Sequence, residues 1–386
     1  MKPDTEELLT RGVANIIPSK KELENKLKSG KKLNIYLGID PTSTKIHLGH
    51  TVGLRKLQQF SELGHNVTFL IGDFTALIGD TSDKDSERPS LSPKEIEENF
   101  ATYKKQAEKI LDFSKVNIKF NSEWLKKLSF EDIIKLAQHF SAGDFTSREL
   151  VRKRLSEGKR VGLHEFLYPV MQGYDSYMMD TDIQIGGTDQ TFNMQAGRTL
   201  QEDLRKKQSF ILTTPILEGP DGRKMSKSWG NAIWIEDKPE DIFGKVMSIK
   251  DDLILTYFGL VTNIKTEELK RFEEKLKTEN PINIKKELAF EIVRELYGND
   301  SAEEAKEIFE RTVQKKEIPD EIEEVKASNI NDLVESGIVP SRSELKRLLE
   351  QGGIKINEKT IRENTGLNQG DLLRIGKRRV VKITAK

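Results

Sequence analysis

The chain has 386 residues, 35% hydrophobic and 33% charged, and its 63 basic and 63 acidic side chains cancel. That length supports two or three domains with real cores, while the balanced charge gives no overall pull toward nucleic acid or an anionic membrane. The absence of cysteine excludes disulfides, thiol catalysis and cysteine-ligated zinc; no apolar run approaches the roughly 20 residues of a membrane-spanning helix, and the opening MKPDTEELLT lacks an export signal's apolar core, so a cytoplasmic protein is expected.

KKLNIYLGID (residues 31–40) reads as a buried strand ending in Gly and Asp. A helix should follow from about His47, because Leu54, Leu57, Phe60 and Leu63 recur every three residues and Gly64 can stop it. NVTFLIGDF (66–74) is a second strand, rich in β-branched and apolar residues. Strand, helix, strand implies a parallel sheet with right-handed crossovers. Residues 89–177 then read mostly as helix. DIQIGG (182–187) resumes as a strand, a helix follows from Gln190, and SFILTTPIL (209–217) is another strand. Beyond Lys238-Pro239, TEELKRFEEKLK and SAEEAKEIFERTVQKK are helical and strongly charged, and KASNINDLVESG (326–337) reads as a linker with short structure. The remainder mixes an amphipathic helix with short strands and glycine turns, and from Ser341 onward it carries twelve Lys or Arg against five Asp or Glu. The expected class is α/β: a Rossmann-like parallel-sheet domain over 1–237 with a helical insertion at about 89–177, an all-α domain over 238–325, and a small α+β domain over 332–386.

Two motifs carry chemistry. The first strand runs into DPTSTKIHLGH, which sets His47 and His50 at i and i+3 on one face of a helix start. Free N–H groups and the positive end of the helix dipole suit a polyphosphate there. Gly49 lies between them, where a missing Cβ lets an adenine ring approach the backbone. Metal chelation by the pair is a second reading; it needs a third ligand in a chain with only five histidines. KMSKS (224–228), after the turn GPDGR, puts two ammonium groups in a glycine-rich loop. Alone, such a loop reads equally well as a solvated charged turn.

Together, HLGH after the first strand and KMSKS after the last, 174 residues from His50 to Lys224, resemble the two signatures of class I aminoacyl-tRNA synthetases. LYPVMQGYDSYMMDTDIQIGGTDQ (167–190) is similar to the tyrosyl-tRNA synthetase family's Tyr-x-x-x-Gln-x-x-Asp followed by Gln-Ile-Gly-Gly-x-Asp-Gln. The resemblance implies that Tyr36 and Asp175 give the substrate phenol a donor and an acceptor. It implies that Asp80, Tyr168 and Gln172 surround the ammonium, with Gln184 and Gln190 completing the tyrosine site. Asp40, Thr42, Gly49, Gly186, Asp189 and Met225 would sit near the nucleotide, Asp189 toward the ribose. His47, His50, Lys224 and Lys227 would be catalytic: the lysines close over the β- and γ-phosphates of ATP, and the histidines add positive charge. This chain departs from the family in reading GDTSD (79–83) where Gly-Asp-Pro-Ser/Thr-Gly is usual, so Lys84 and Arg88 receive no role.

The tail is similar to the small RNA-binding domain of the ribosomal-protein-S-four type, with Arg342, Lys346 and Arg347 on one helix and Lys377, Arg378 and Arg379 as a second basic cluster. The helical domain before it matches the family's anticodon-binding region in position. The whole resemblance implies activation of L-tyrosine by ATP with Mg2+, no protein-bound metal site, transfer to tRNA(Tyr), and a homodimer formed through the insertion. A tryptophan-specific relative is the near alternative, and Tyr36 with Asp175 argues against it. An RNA-binding splicing or regulatory factor on an inactive scaffold is the distant one, and intact HLGH and KMSKS argue against that.

Overall fold

A computed structural model describes residues 4–41, 44–78, 92–314, 323–376 and 379–384. The chain forms two compact units, residues 1–237 with 248–288 and residues 238–247 with 289–386.

The first unit is built on a six-stranded sheet of β1 (Asn15–Ile17), β2 (Asn34–Ile39), β3 (Asn66–Ile71), β4 (Val116–Phe120), β5 (Ile183–Gly187) and β6 (Phe210–Thr214), in the order β1-β6-β5-β2-β3-β4. All neighbours are parallel except β1 with β6. β2, β3, β5 and β6 are near-continuous apolar runs because helices cover both faces, and Ile35, Val67, Phe69, Ile183 and Phe210 are all buried. The helix Leu48–Glu62 follows β2, and its Leu54, Leu57 and Phe60 are buried, as the three-residue recurrence predicts. From β2 the sheet grows through β3 and β4 on one side and through β5 and β6 on the other. The direction reverses between β2 and β5, so a crevice opens outside their carboxyl ends, the usual ligand site of such sheets.

Three features differ from expectation. β4 lies inside the stretch read as helical; its five residues VNIKF alternate in burial along an edge strand, too short a run to stand out among helices. β1 was not anticipated, since three residues give no measurable period. The expected linker at 326–337 belongs to the core of the second unit, where Ala327, Ile330 and Leu333 are buried.

In the second unit the helices Pro239–Val246 and Asn299–Phe309 pack together, with Phe243 and Phe309 ring centroids 5.4 Å apart. Its sheet comprises β7 (Glu323–Lys326), β8 (Ile354–Ile356), β9 (Lys359–Ile361), β10 (Leu372–Ile375) and β11 (Arg379–Thr384), in the order β7-β11-β10-β8-β9. The helix Arg342–Glu350 buries Leu345 against Ile354, Leu373 and Val381. Among the described residues no helix is long and apolar enough to cross a membrane.

Candidate active site

The crevice holds a cavity of about 620 Å³, lined from β2 by Tyr36 and Asp40, from the helix start by His47, Gly49 and His50, and from β5 onward by Gly186, Asp189 and Gln190. Lys224, Met225 and Lys227 line it from the KMSKS loop. Helix Leu163–Met178 contributes Tyr168, Gln172 and Asp175, whose i, i+4, i+7 spacing brings them to one face.

One end of the cavity is a chain of buried hydrogen bonds. The Trp124 indole N–H donates to Asp175 Oδ1 at 2.6 Å, and the Asn121 amide donates to Oδ2 at 3.1 Å. Burial nevertheless pushes the Asp175 carboxyl up to about 8, with those two donors opposing the rise. The Tyr36 hydroxyl donates to Gln184 Oε1 at 3.0 Å, and Gln184 Nε2 donates to the Met194 carbonyl at 2.9 Å. Gln184 therefore stands fully buried behind Tyr36 and does not line the cavity. Burial and then the Asp175 charge hold the Tyr36 phenol well above its usual range, while Gln172 opposes them. Tyr168 donates to Asp40 Oδ2 at 2.8 Å, and Thr75 donates to Asp40 Oδ1 at 2.7 Å. A Cβ at residue 72 would lie 2.0 Å from that Asp40 oxygen, so only glycine fits beneath it.

The other end carries the two motifs. His47 and His50 stack with centroids 3.8 Å apart and planes 20° off parallel. The His47 backbone N–H donates to His50 Nδ1 at 3.2 Å, so the proton of a neutral His50 ring sits on Nε2. The pair does not carry the positive charge expected of it. Burial and then nearby Lys224 bring His50 down to about 4, and burial, His50 and Lys224 hold His47 well below its usual value. Both rings are neutral hydrogen-bonding groups at neutral pH. His47 Nδ1 is buried without a hydrogen-bond partner, an orphan polar atom in the cavity wall. A Cβ on Gly49 would come within 3.0 Å of the His47 ring.

Lys224 Nζ pairs with Asp189 Oδ2 at 2.7 Å. The loop is held from its far leg. Asn231 Nδ2 donates to Asp221 Oδ1 at 2.7 Å and to the Lys224 carbonyl at 3.1 Å, and Asn231 Oδ1 accepts the Ser226 N–H at 2.9 Å. Lys227 is exposed. No three His, Asp or Glu side chains converge as metal ligands among the described residues.

Of the expected site residues, Thr42, Asp80, Lys377 and Arg378 lie outside the described residues, as do Lys84 and Arg88. In the tail, Arg342 is exposed, and Lys346 Nζ lies 3.9 Å from Glu350. Arg347 is bonded to Glu344, and Arg379 bonds Glu323 and the Ile338 carbonyl, each at 2.8 Å. Sequence reading missed Thr75, Asn121, Trp124 and Asn231. Asn121 and Trp124 follow β4 directly, so recognising that strand and looking at its carboxyl end would have found them.

A doubly wound sheet with a neutral imidazole pair and two lysines at its switch point defines a nucleotide-handling α/β enzyme. The family described as tRNA synthetases class I (W and Y) matches residues 28–314, and an S4 domain matches residues 331–373. The tyrosine–tRNA ligase of Thermotoga maritima is 44% identical over 98% of this chain and 96% of its own length. That of Carboxydothermus hydrogenoformans is 44% identical over 98% and 97%. In fold, the chain is similar to tyrosyl-tRNA synthetase from Archaeoglobus fulgidus complexed with L-tyrosine, with a TM-score of 0.61 and 24% identity over 78% of this chain and all of the other. A C-terminally truncated mitochondrial tyrosyl-tRNA synthetase of Coccidioides posadasii gives 0.65 and 24% over 78% and 90%. This chain belongs to the class I tRNA synthetases of the tryptophan and tyrosine group.

Proposed function

We infer that the chain is a tyrosine–tRNA ligase, which activates L-tyrosine with ATP to tyrosyl-adenylate and transfers the tyrosyl group to the 3′ end of tRNA(Tyr). The observation that carries this reading is one cavity lined both by the Tyr36–Asp175 end and by the His47, His50, Lys224 and Lys227 end. The amino-acid carboxylate attacks the α-phosphate in line and pyrophosphate leaves, so no protein nucleophile is needed. Catalysis is placement and charge stabilisation. The phenol donates to Asp175 and accepts from Tyr36, whose proton turns to it from Gln184; a substrate without the hydroxyl would leave that site unmatched. Tyr168, Gln172 and, by resemblance, Asp80 take the ammonium. Incoming phosphates draw Lys224 from Asp189, which frees that carboxylate for the ribose. Lys227 joins Lys224 on the departing pyrophosphate, while the two imidazoles supply neutral hydrogen bonds, and magnesium arrives as part of the ATP substrate.

Residues 238–325 are assigned to anticodon binding and the tail to tRNA phosphates. A homodimer through the insertion fits its exposed apolar side chains, Phe130 at 77%, Ile134 at 48% and Leu163 at 79% exposure. Cytoplasmic residence follows from the role in protein synthesis. ATP–pyrophosphate exchange with each of the twenty amino acids, without tRNA, tests the assignment. Exchange is expected with tyrosine alone; exchange with tryptophan, or with none, overturns it.

A further inference from the structure

The KMSKS loop carries a side chain that activation does not use. Trp229, directly after the cavity-lining Ser228, is 56% exposed, whereas the loop's other large apolar side chain, Met225, is buried. That exposure excludes a core role. The indole is nonetheless held in place: the Arg223 guanidinium lies 4.3 Å from the ring centroid. Arg223 is itself fixed by Asp221, with Nε 2.8 Å from Oδ2 and the backbone N–H 3.0 Å from Oδ1, and Asp221 in turn accepts from Asn231 at 2.7 Å. The anchored cation covers part of one ring face and leaves over half of the side chain's surface to solvent. A solvent-facing aromatic ring held against Arg223, in the same loop as Lys224 and Lys227, matches what single-stranded nucleic acid needs: a flat surface for a base and cations for the backbone.

We propose that Trp229 is a stacking platform for one of the unpaired 3′-terminal nucleotides of the tRNA. This rests on the ligase reading, because in the second step a terminal ribose hydroxyl must reach the adenylate inside the cavity, so the single-stranded end has to pass its mouth. Stacking of this kind tolerates any base, and the geometry requires no base-specific contact. The Arg223 cation adds to the interaction by polarising the stack from the opposite side.

The test compares unaltered protein, W229A and W229F in tyrosine-dependent ATP–pyrophosphate exchange without tRNA and in charging of tRNA. A tRNA lacking its unpaired 3′ nucleotides serves as a competitor. W229A should exchange within about twofold of the unaltered protein but show a tRNA KM raised about 5- to 150-fold, the loss expected for one stacked base. W229F should stay near the unaltered protein, and the truncated competitor should bind the unaltered protein and W229A alike. The proposal fails if W229A slows exchange as much as charging, because the indole would then only brace the loop. It also fails if the tRNA KM does not move, or if the truncated tRNA still separates the two proteins. An unaltered protein without tyrosine-dependent exchange would remove the ligase reading itself, an outcome separate from any of these.

Discussion

A carboxyl group as deeply buried as Asp175 keeps only the bonds the protein gives it, and two of them come from Trp124 and Asn121. Trp124→Phe removes one donor while preserving an aromatic ring. A hydrogen bond to a charged group contributes about 1.5–3 kcal/mol, so the tyrosine KM in exchange should rise about 10- to 100-fold, with the ATP KM unchanged. The pH profile gives a sharper check. With the empty-pocket carboxyl at about 8, a phenol that donates to the carboxylate binds better as pH rises toward 8 and then levels off. Losing the indole donor raises that carboxyl further, so in W124F the levelling must move to higher pH. An unshifted profile would mean the indole only fills space. Tyr36 and Asp175 were legible in the sequence because they sit in local motifs. Trp124 and Asn121 were not, because they meet Asp175 across 51 and 54 residues and no local pattern encodes that pairing.

At the scale of elements, the start of helix Leu48–Glu62 was readable from HLGH, but the charge state of its histidines was not, since burial sets it. His50 falls from 6.5 to about 4 on folding, so between those values the unfolded chain binds the extra proton. Its contribution is complete above pH 6.5 and is lost as pH falls toward 4, by at most about 1.4 kcal/mol per pH unit because the ring is partly open to solvent. Denaturant titrations at pH 7.0, 6.0 and 5.0 should show His50→Gln losing less stability than the unaltered protein; parallel losses would place the ring in water. The KMSKS loop makes a second case. Its sequence suggested a solvated turn or a phosphate clamp, and gave no sign that Asn231 holds both legs together. Asn231→Ala leaves the Ser226 N–H and the Lys224 carbonyl without this partner. It should lower the kcat of exchange at least about tenfold, as misplacement of charge-stabilising groups does, and leave the tyrosine KM unmoved. A shifted tyrosine KM would show that the loop also shapes the amino-acid end.

Over the whole molecule, strand–helix alternation made the parallel sheet legible, but strand order was not, because β1 pairs with β6 across some two hundred residues and β4 hid among helices. In the tail, composition announced a basic surface, but not which cations are already committed. Arg347 and Arg379 are hydrogen-bonded to Glu344 and Glu323, while Arg342 is exposed and Lys346, one helical turn on, only approaches Glu350 at 3.9 Å. The cavity is lined entirely by residues of the first unit, and these two cations belong to the second. Activation and tRNA capture should therefore respond separately. Replacing Arg342 and Lys346 together by Gln should leave tyrosine-dependent exchange unchanged. If each touches one phosphate, the plot of log kcat/KM for tRNA against log salt should flatten by roughly 1.4–1.8, since each contact contributes about 0.7–0.9 to the slope. The same change at Arg347 should flatten it less, because Glu344 already neutralises that guanidinium. Equal slopes for all the variants would make this helix a solvated face and place the tRNA's phosphates elsewhere on the chain.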